Sequence, residues 1–308
     1  MNGILNLYKP VGITSHTAIS VAKRIFGASK AGHTGTLDPM ASGVLPVLIG
    51  KAVKVSEYMV CDGKRYKARL RLGLTTDTED TTGNTLTESD DIPSKEDIEA
   101  AVMSFVGEYM QIPPMYSALK KDGKKLYELA RSGKEVEREA RQVEIHSIDI
   151  LETGNDYCDF IVSCSKGTYI RTLCADIGKK LGCGGVMASL ERMSAGGFDV
   201  ENSITLEQLR EMSPEELEKT LMSIEDFFSG LERVKLNPFF SSLALNGAHI
   251  YLSKIKTASS LTLGQKVLMY TSENKFFALG EVIETDEGCA VKPVKMFGIC
   301  PAEENHNG

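Results

Sequence analysis

The chain has 308 residues, 42% apolar and 25% charged, the balance of an ordinary globular protein with room for two domains or one large one. No apolar run approaches the ~18 residues of a membrane-spanning helix. The start, Met1 to Leu7, lacks the basic segment and long apolar core of a signal peptide, so a cytoplasmic protein is expected. The net charge of −7 argues against indiscriminate nucleic-acid binding, and the seven scattered cysteines have no Cys-x-x-Cys spacing, which fits reduced, mostly buried thiols rather than a zinc or redox site.

Residues 4–8 read as a short strand, stopped by Lys9-Pro10-Val11-Gly12, after which Thr14 or Ser15 can cap a helix to about Phe26. Between Gly32 and Gly43 three glycines and a proline fall within twelve residues, which suggests a tight loop around one carboxylate, Asp38. The apolar run 44–49 follows as a buried strand. Residues 64–74 alternate: Tyr66, Ala68, Leu70, Leu72 and Leu74 share one face, and Lys67, Arg69 and Arg71 share a basic outer face. A loop covers 76–84, and Ser94 caps a helix to about Phe105. Residues 113–142 carry eight positive and five negative side chains, a local excess of +3 in an acidic chain.

Two strands are expected at 143–151 and 158–164, then a break at Gly167. Ile170, Leu173, Ile177 and Leu181 recur at helical spacing, so a helix is expected over 168–181, with Arg171 in its first turn and off the apolar face. Thr205 and Ser213-Pro214 open two further helices. Beyond Phe228 the pattern turns to short strands at 266–270, 276–283 and 289–294, which places a domain boundary near Glu232. Helices and strands mix without regular βαβ alternation, so the fold class expected is α+β on a mixed, largely antiparallel sheet, followed by a small β domain.

The segment Gly32-His33-Thr34-Gly35-Thr36-Leu37-Asp38-Pro39-Met40-Ala41-Ser42-Gly43-Val44-Leu45 closely resembles the nucleophile motif of the TruB family of pseudouridine synthases. The resemblance continues in the family's order. It takes in Lys9-Pro10-Val11-Gly12-Ile13-Thr14-Ser15, Lys64-Arg65-Tyr66, the loop Thr76-Asp77-Thr78-Glu79-Asp80, the insertion from Gln111-Ile112-Pro113-Pro114 onward, and Gly167-Thr168-Tyr169-Ile170-Arg171. Glu191 departs from it, standing where relatives often have arginine. The fold implied is a pseudouridine synthase catalytic domain over 1–231, a small β-barrel-like PUA domain over 232–300 and a tail over 301–308.

The reaction implied is conversion of uridine to pseudouridine at position 55 in the T-loop of tRNAs. The ribose–nitrogen bond breaks, the enclosed uracil turns, and ribose rejoins at carbon 5. Nothing is added or lost, so no cofactor and no metal are required. In the roles implied, Asp38 is the nucleophile or base, Arg171 holds it ionised and oriented against desolvation, and Tyr66 stacks on the uracil with its hydroxyl near carbon 5. His33 fills the space left by the flipped base, and Tyr169 and Leu190 wall the pocket. Lys120, Lys124, Lys125 and Arg141 grip phosphate from the insertion, beside Tyr116 and Tyr127 as stacking surfaces. The partner is the T stem-loop of tRNA. A monomer that needs no protein partner and no membrane is expected. The alternative is an RNA-binding or RNA-folding protein on the same scaffold without turnover.

Overall fold

The computed structural model, which describes residues 1–59, 63–117, 119–121, 123–134, 136–255 and 261–298, is built around the Ala41–Ile49 strand, buried along almost its whole length. Its side chains alternate between two cores, which is why the sequence reads as an unbroken apolar run. Ala41, Leu45, Val47 and Ile49 face a core shared with the helices, whereas Val44 and Leu48 face a second core on the opposite side. Each buried Val, Leu or Ile side chain among these contributes ~1.5–3 kcal/mol.

Among the described residues this strand belongs to an 11-stranded sheet. Its main path runs Ile204–Thr205, Gly3–Lys9, Ala41–Ile49, Gly185–Ala195, Lys64–Leu72, Tyr157–Cys164, Arg141–Thr153, Gly107–Gln111. The pairing is antiparallel except at Ile204–Thr205 with Gly3–Lys9, and at Ala41–Ile49 with Gly185–Ala195. The helices Ser15–Ile25, Lys95–Met103, Ile170–Leu181 and Leu206–Glu211 contribute to the core on one face of the sheet. The structure bears out the expected α+β class.

Three elements stop short of their expected ends, each for a local reason. The alternating strand ends at Leu72 rather than Leu74, because Gly73 takes φ +76° and turns the chain. The helix after Ser94 ends at Met103 rather than Phe105, with Ser104 as its C-cap. The helix expected from Thr168 begins at Ile170, since Tyr169 is still extended at φ −102° and ψ 110°. Four buried cysteines, Cys158, Cys164, Cys174 and Cys183, are free thiols, and Cys289 is exposed; Cys61, Cys300 and the 301–308 tail lie outside the described residues.

A second, 5-stranded sheet is ordered Glu232–Lys235, Lys266–Tyr270, Phe276–Thr285, Gly288–Met296, Ile250–Tyr251. It carries its own core around Val267, Met269 and Phe277, with the helix Pro238–Leu245 against it. Its other apolar side joins the body: Leu268, Tyr270, Leu279 and Phe297 pack with Ile4, Val44, Leu48, Ile224 and Phe228 in one core. Polar contacts cross the same boundary. The Tyr270 hydroxyl donates to Glu225 Oε1 at 2.7 Å, Lys54 Nζ donates to the Met296 carbonyl at 2.7 Å, and Lys295 pairs with Glu57. No helix among the described residues is long and apolar enough to cross a membrane.

Candidate active site

The loop that carries Asp38 has its backbone carbonyls held from several sides. The Ser15 hydroxyl, at the start of the first helix, donates to the Leu37 carbonyl at 2.9 Å and accepts from its N–H at 2.8 Å. Capping is left to Thr14, which accepts from the Thr17 N–H at 3.0 Å. The Pro39 carbonyl accepts from the Gly12 N–H at 2.8 Å, and the Asp38 carbonyl from Ala41 at 3.1 Å. Arg192, fully buried, sends Nη2 to the Gly35 carbonyl at 3.0 Å, Nη1 to the Thr36 carbonyl at 3.5 Å and Nε to the Val44 carbonyl at 2.7 Å. Every carbonyl from Gly35 to Pro39 thus has a donor, and the loop is held in one shape.

Gly43 lets Arg192 approach this closely. Its φ is +102°, and a Cβ there would lie 2.3 Å from the Arg192 carbonyl oxygen. Lys9 is buried beside the same loop, donating to the Pro10 and Ile13 carbonyls, each at 2.8 Å. Burial lowers its pKa to about 8, with the Asp38 charge pulling it back up and Arg192 pushing it down.

Asp38 and Arg171, 133 positions apart, meet here. Arg171 Nε lies 2.9 Å from Asp38 Oδ2. The guanidinium is 5% exposed, whereas the Asp38 side chain keeps 37% of its surface open. Two further donors are aimed by backbone: Nη2 to the Tyr116 carbonyl at 2.8 Å and Nη1 to the Thr78 carbonyl at 3.1 Å. Asp80 Oδ2 stands 4.0 Å from Nη1. The Asp80 carboxylate is itself fixed, its Oδ1 accepting from the Thr78 hydroxyl at 2.7 Å, the Thr82 N–H at 2.9 Å and the Thr82 hydroxyl at 2.6 Å. Arg171 therefore does lie off the apolar face of its helix, buried against polar groups rather than in solvent.

Of the other expected residues, Tyr66 and Tyr169 lie within reach of the Asp38 charge. Tyr66, 6% exposed, is paired across the sheet with Arg192, and burial raises its pKa while the Arg192 guanidinium lowers it. Its hydroxyl is therefore a proton donor at neutral pH rather than a base. Leu190, paired with Ala41 and Ala68, shares that strand face. Tyr169 is half-buried, immediately before the Arg171 helix, and feels the Asp38 charge. His33 is half-buried, its Nδ1 accepting from the Gly35 N–H at 3.2 Å; burial, then Arg192, lowers its pKa, so its ring is neutral at pH 7. Arg141 is exposed and paired with Gln111 at the base of the insertion, and its charge acts on Tyr169.

The insertion itself carries a small hairpin, Lys120–Lys121 with Lys124–Lys125, and the six-residue helix Leu126–Arg131. Lys124 is exposed; the side chains of Lys120, Lys121, Lys125 and Arg131 lie outside the described residues. Glu191 faces away from Leu190 and Arg192 and accepts from the Tyr8 hydroxyl at 2.9 Å. The basic outer face of Lys64–Leu72 is partly neutralised there: Arg69 forms a two-pronged pair with Asp159, both contacts at 2.6 Å, and Glu191 lies opposite Lys67. Reading by residue type missed Ser15, Lys9, Asp80, Arg192 and the Tyr116 carbonyl.

Among the described residues no cluster of His, Cys, Asp and Glu could hold a metal ion. What the arrangement offers is a partly open carboxylate, a buried guanidinium against it, and a neutral phenol and imidazole nearby.

Residues 23–170 match the family described as "TruB family pseudouridylate synthase (N terminal domain)", and residues 171–229 match "tRNA pseudouridylate synthase B C-terminal domain". The chain is 46% identical over 286 residues to a tRNA pseudouridine synthase B of Alkaliphilus oremlandii, covering 93% of this chain and 95% of that one. It is 45% identical over 304 residues to the Clostridium tetani protein of the same name, covering 96% and 100%. Among solved structures, a chain of a Cbf5-Nop10-Gar1 complex aligns with TM-score 0.67 and 30% identity over 96% of this chain and 85% of that one.

Proposed function

The chain belongs to the TruB family of pseudouridylate synthases, isomerases of uridine in tRNA, and on that premise we propose that its target is the uridine at position 55 in the T-loop. The observation that carries the reading is the 2.9 Å contact of a buried Arg171 with a partly open Asp38. The guanidinium fixes the direction of the carboxylate and sets an opposite charge against it, as a carboxylate nucleophile needs once a base closes over it.

The flipped uridine enters beside Asp38, with Tyr66, Tyr169 and Leu190 as the walls. Extrusion costs a few kcal/mol, and the neutral His33 ring occupies the vacated stack. Asp38 acts at the sugar, at the ring or on a sugar proton as the bond to nitrogen breaks. The uracil turns in the closed site and rejoins through carbon 5. The Tyr66 hydroxyl, kept protonated by burial, serves the proton movement at that carbon. The insertion over 113–142, with Lys120, Lys124, Lys125 and Arg141, grips the phosphates of the T stem-loop. Residues 1–231 serve as the catalytic region and 232–300 as a further RNA-binding region. The chain acts as a monomer without a protein partner.

The test is incubation of purified protein with an unmodified tRNA transcript, without cofactor, followed by mapping of pseudouridine. Product at the T-loop uridine is expected, and its absence overturns the assignment. Asp38→Asn is expected to abolish turnover with RNA affinity within about twofold of wild type. Binding without product in both proteins would instead support a non-catalytic RNA-folding role.

A further inference from the structure

Gln111 closes the Gly107–Gln111 strand at the point where the insertion leaves the sheet. Its backbone partner is Arg141, the first residue of the returning strand, so both legs of the insertion are pinned at this one pair. The Gln111 side chain is 1% exposed and is not spent on solvent. Instead it makes both bonds of a bridge to the backbone of Tyr169. Oε1 accepts from the Tyr169 N–H at 2.8 Å, and Nε2 donates to the Tyr169 carbonyl at 3.0 Å. The Tyr109 hydroxyl sits against the same Nε2.

Tyr169 caps the Ile170–Leu181 helix without any side-chain capping bond of its own, and Arg171 lies two residues further on. Five residues beyond Gln111 on the same leg, the Tyr116 carbonyl accepts from Arg171 Nη2 at 2.8 Å. One short stretch of chain therefore holds the backbone before Arg171 and the guanidinium itself. A displacement at the root of the insertion moves both attachments together.

We infer that Gln111 is a positioning residue that transmits the seating of RNA on the insertion to the placement of Arg171 and Tyr169 in the site. The inference rests on the reading of the insertion as an RNA grip and of Asp38 and Arg171 as the reacting pair. Glutamine suits the task because its amide offers one acceptor and one donor together, matching the N–H and C=O of one residue. Leucine offers neither. Glutamate offers the pair only when protonated, and burial against a carbonyl raises its pKa.

The experiment compares wild type, Gln111→Leu and Gln111→Glu for single-turnover rate at saturating protein and for affinity towards an unmodified tRNA transcript. Gln111→Leu is expected to lose ~10- to 100-fold in rate, the scale of a small misplacement of a catalytic group, with affinity within about twofold of wild type. Gln111→Glu is expected to be slow near about pH 8 and to recover towards the wild-type rate near about pH 6, as its carboxyl regains a proton to donate. A purely structural role would instead lower rate and affinity together in both variants.

Unchanged rates in both variants, equal losses of rate and affinity, or a constant ratio of Gln111→Glu to wild type across pH would overturn the inference. If Gln111→Leu fails to fold by circular dichroism, Gln111→Glu alone decides. An inactive wild type would refute the functional reading itself, a result distinct from any of these.

Discussion

Arg171 and Lys9 show how differently two buried cations are held beside one carboxylate. Arg171 spends its donors on Asp38, Thr78 and Tyr116, so its planar fork is filled in three directions. Lys9 donates to two carbonyls, and burial depresses its pKa to about 8. The unfolded chain, with an ordinary lysine near ~10.4, binds more protons than the folded one between those values. Stability attributable to Lys9 therefore rises with pH across that window, because the charged form is the one that folding penalises. Urea unfolding of wild type and Lys9→Met at about pH 7 and about pH 10 should show the difference shifting in favour of wild type by up to roughly 3 kcal/mol. A pH-independent difference would mean that Lys9 is charged and satisfied in the folded state.

Between the strands, the tightest constraint is the passage of Gly43 over Arg192. Alanine there combines a φ of +102° with a Cβ 2.3 Å from a carbonyl oxygen. Gly43→Ala is expected to cost at least ~1–3 kcal/mol in urea unfolding, and to slow pseudouridine formation, because Arg192 also holds the Asp38 loop. A neutral effect on both would show that the loop tolerates a shift of this strand pair. Elements with strong local rules were legible in the sequence. The Lys64–Leu72 strand showed its alternation, and the Asp38 loop its glycines and proline. The Gly185–Ala195 strand was not, since Met187, Ala188, Ser189, Leu190, Glu191 and Arg192 follow no clean period and two bulges interrupt its pairing. The Pro238–Leu245 helix passed unread within a run of strands, although Asn237 before Pro238 is a helix-start signal. The burial of Arg171 could not be read locally, because its carbonyl partners come from 55 and 93 positions away.

At the scale of the whole molecule, the two sheets share a core. Val44 and Leu48 lie on the strand that follows the Asp38 loop, and their far-side neighbours include Leu268, Leu279 and Phe297 of the smaller sheet. Each such side chain contributes ~1.5–3 kcal/mol when buried. A chain ending at Leu231 is therefore expected to lose more than ~4 kcal/mol in urea unfolding and to self-associate through the uncovered patch, as sedimentation would show. Full stability in the shortened chain would mean that the smaller sheet is merely tethered. The distances in sequence across the site bear also on its birth. Asp38 leaves the ribosome early, whereas Arg171 and the Arg192 clamp on Gly35 and Thr36 arrive some 130 to 160 residues later. A nascent chain displays its carboxylate long before it owns the cations that discipline it, so competence to modify tRNA switches on only when synthesis is well past the midpoint.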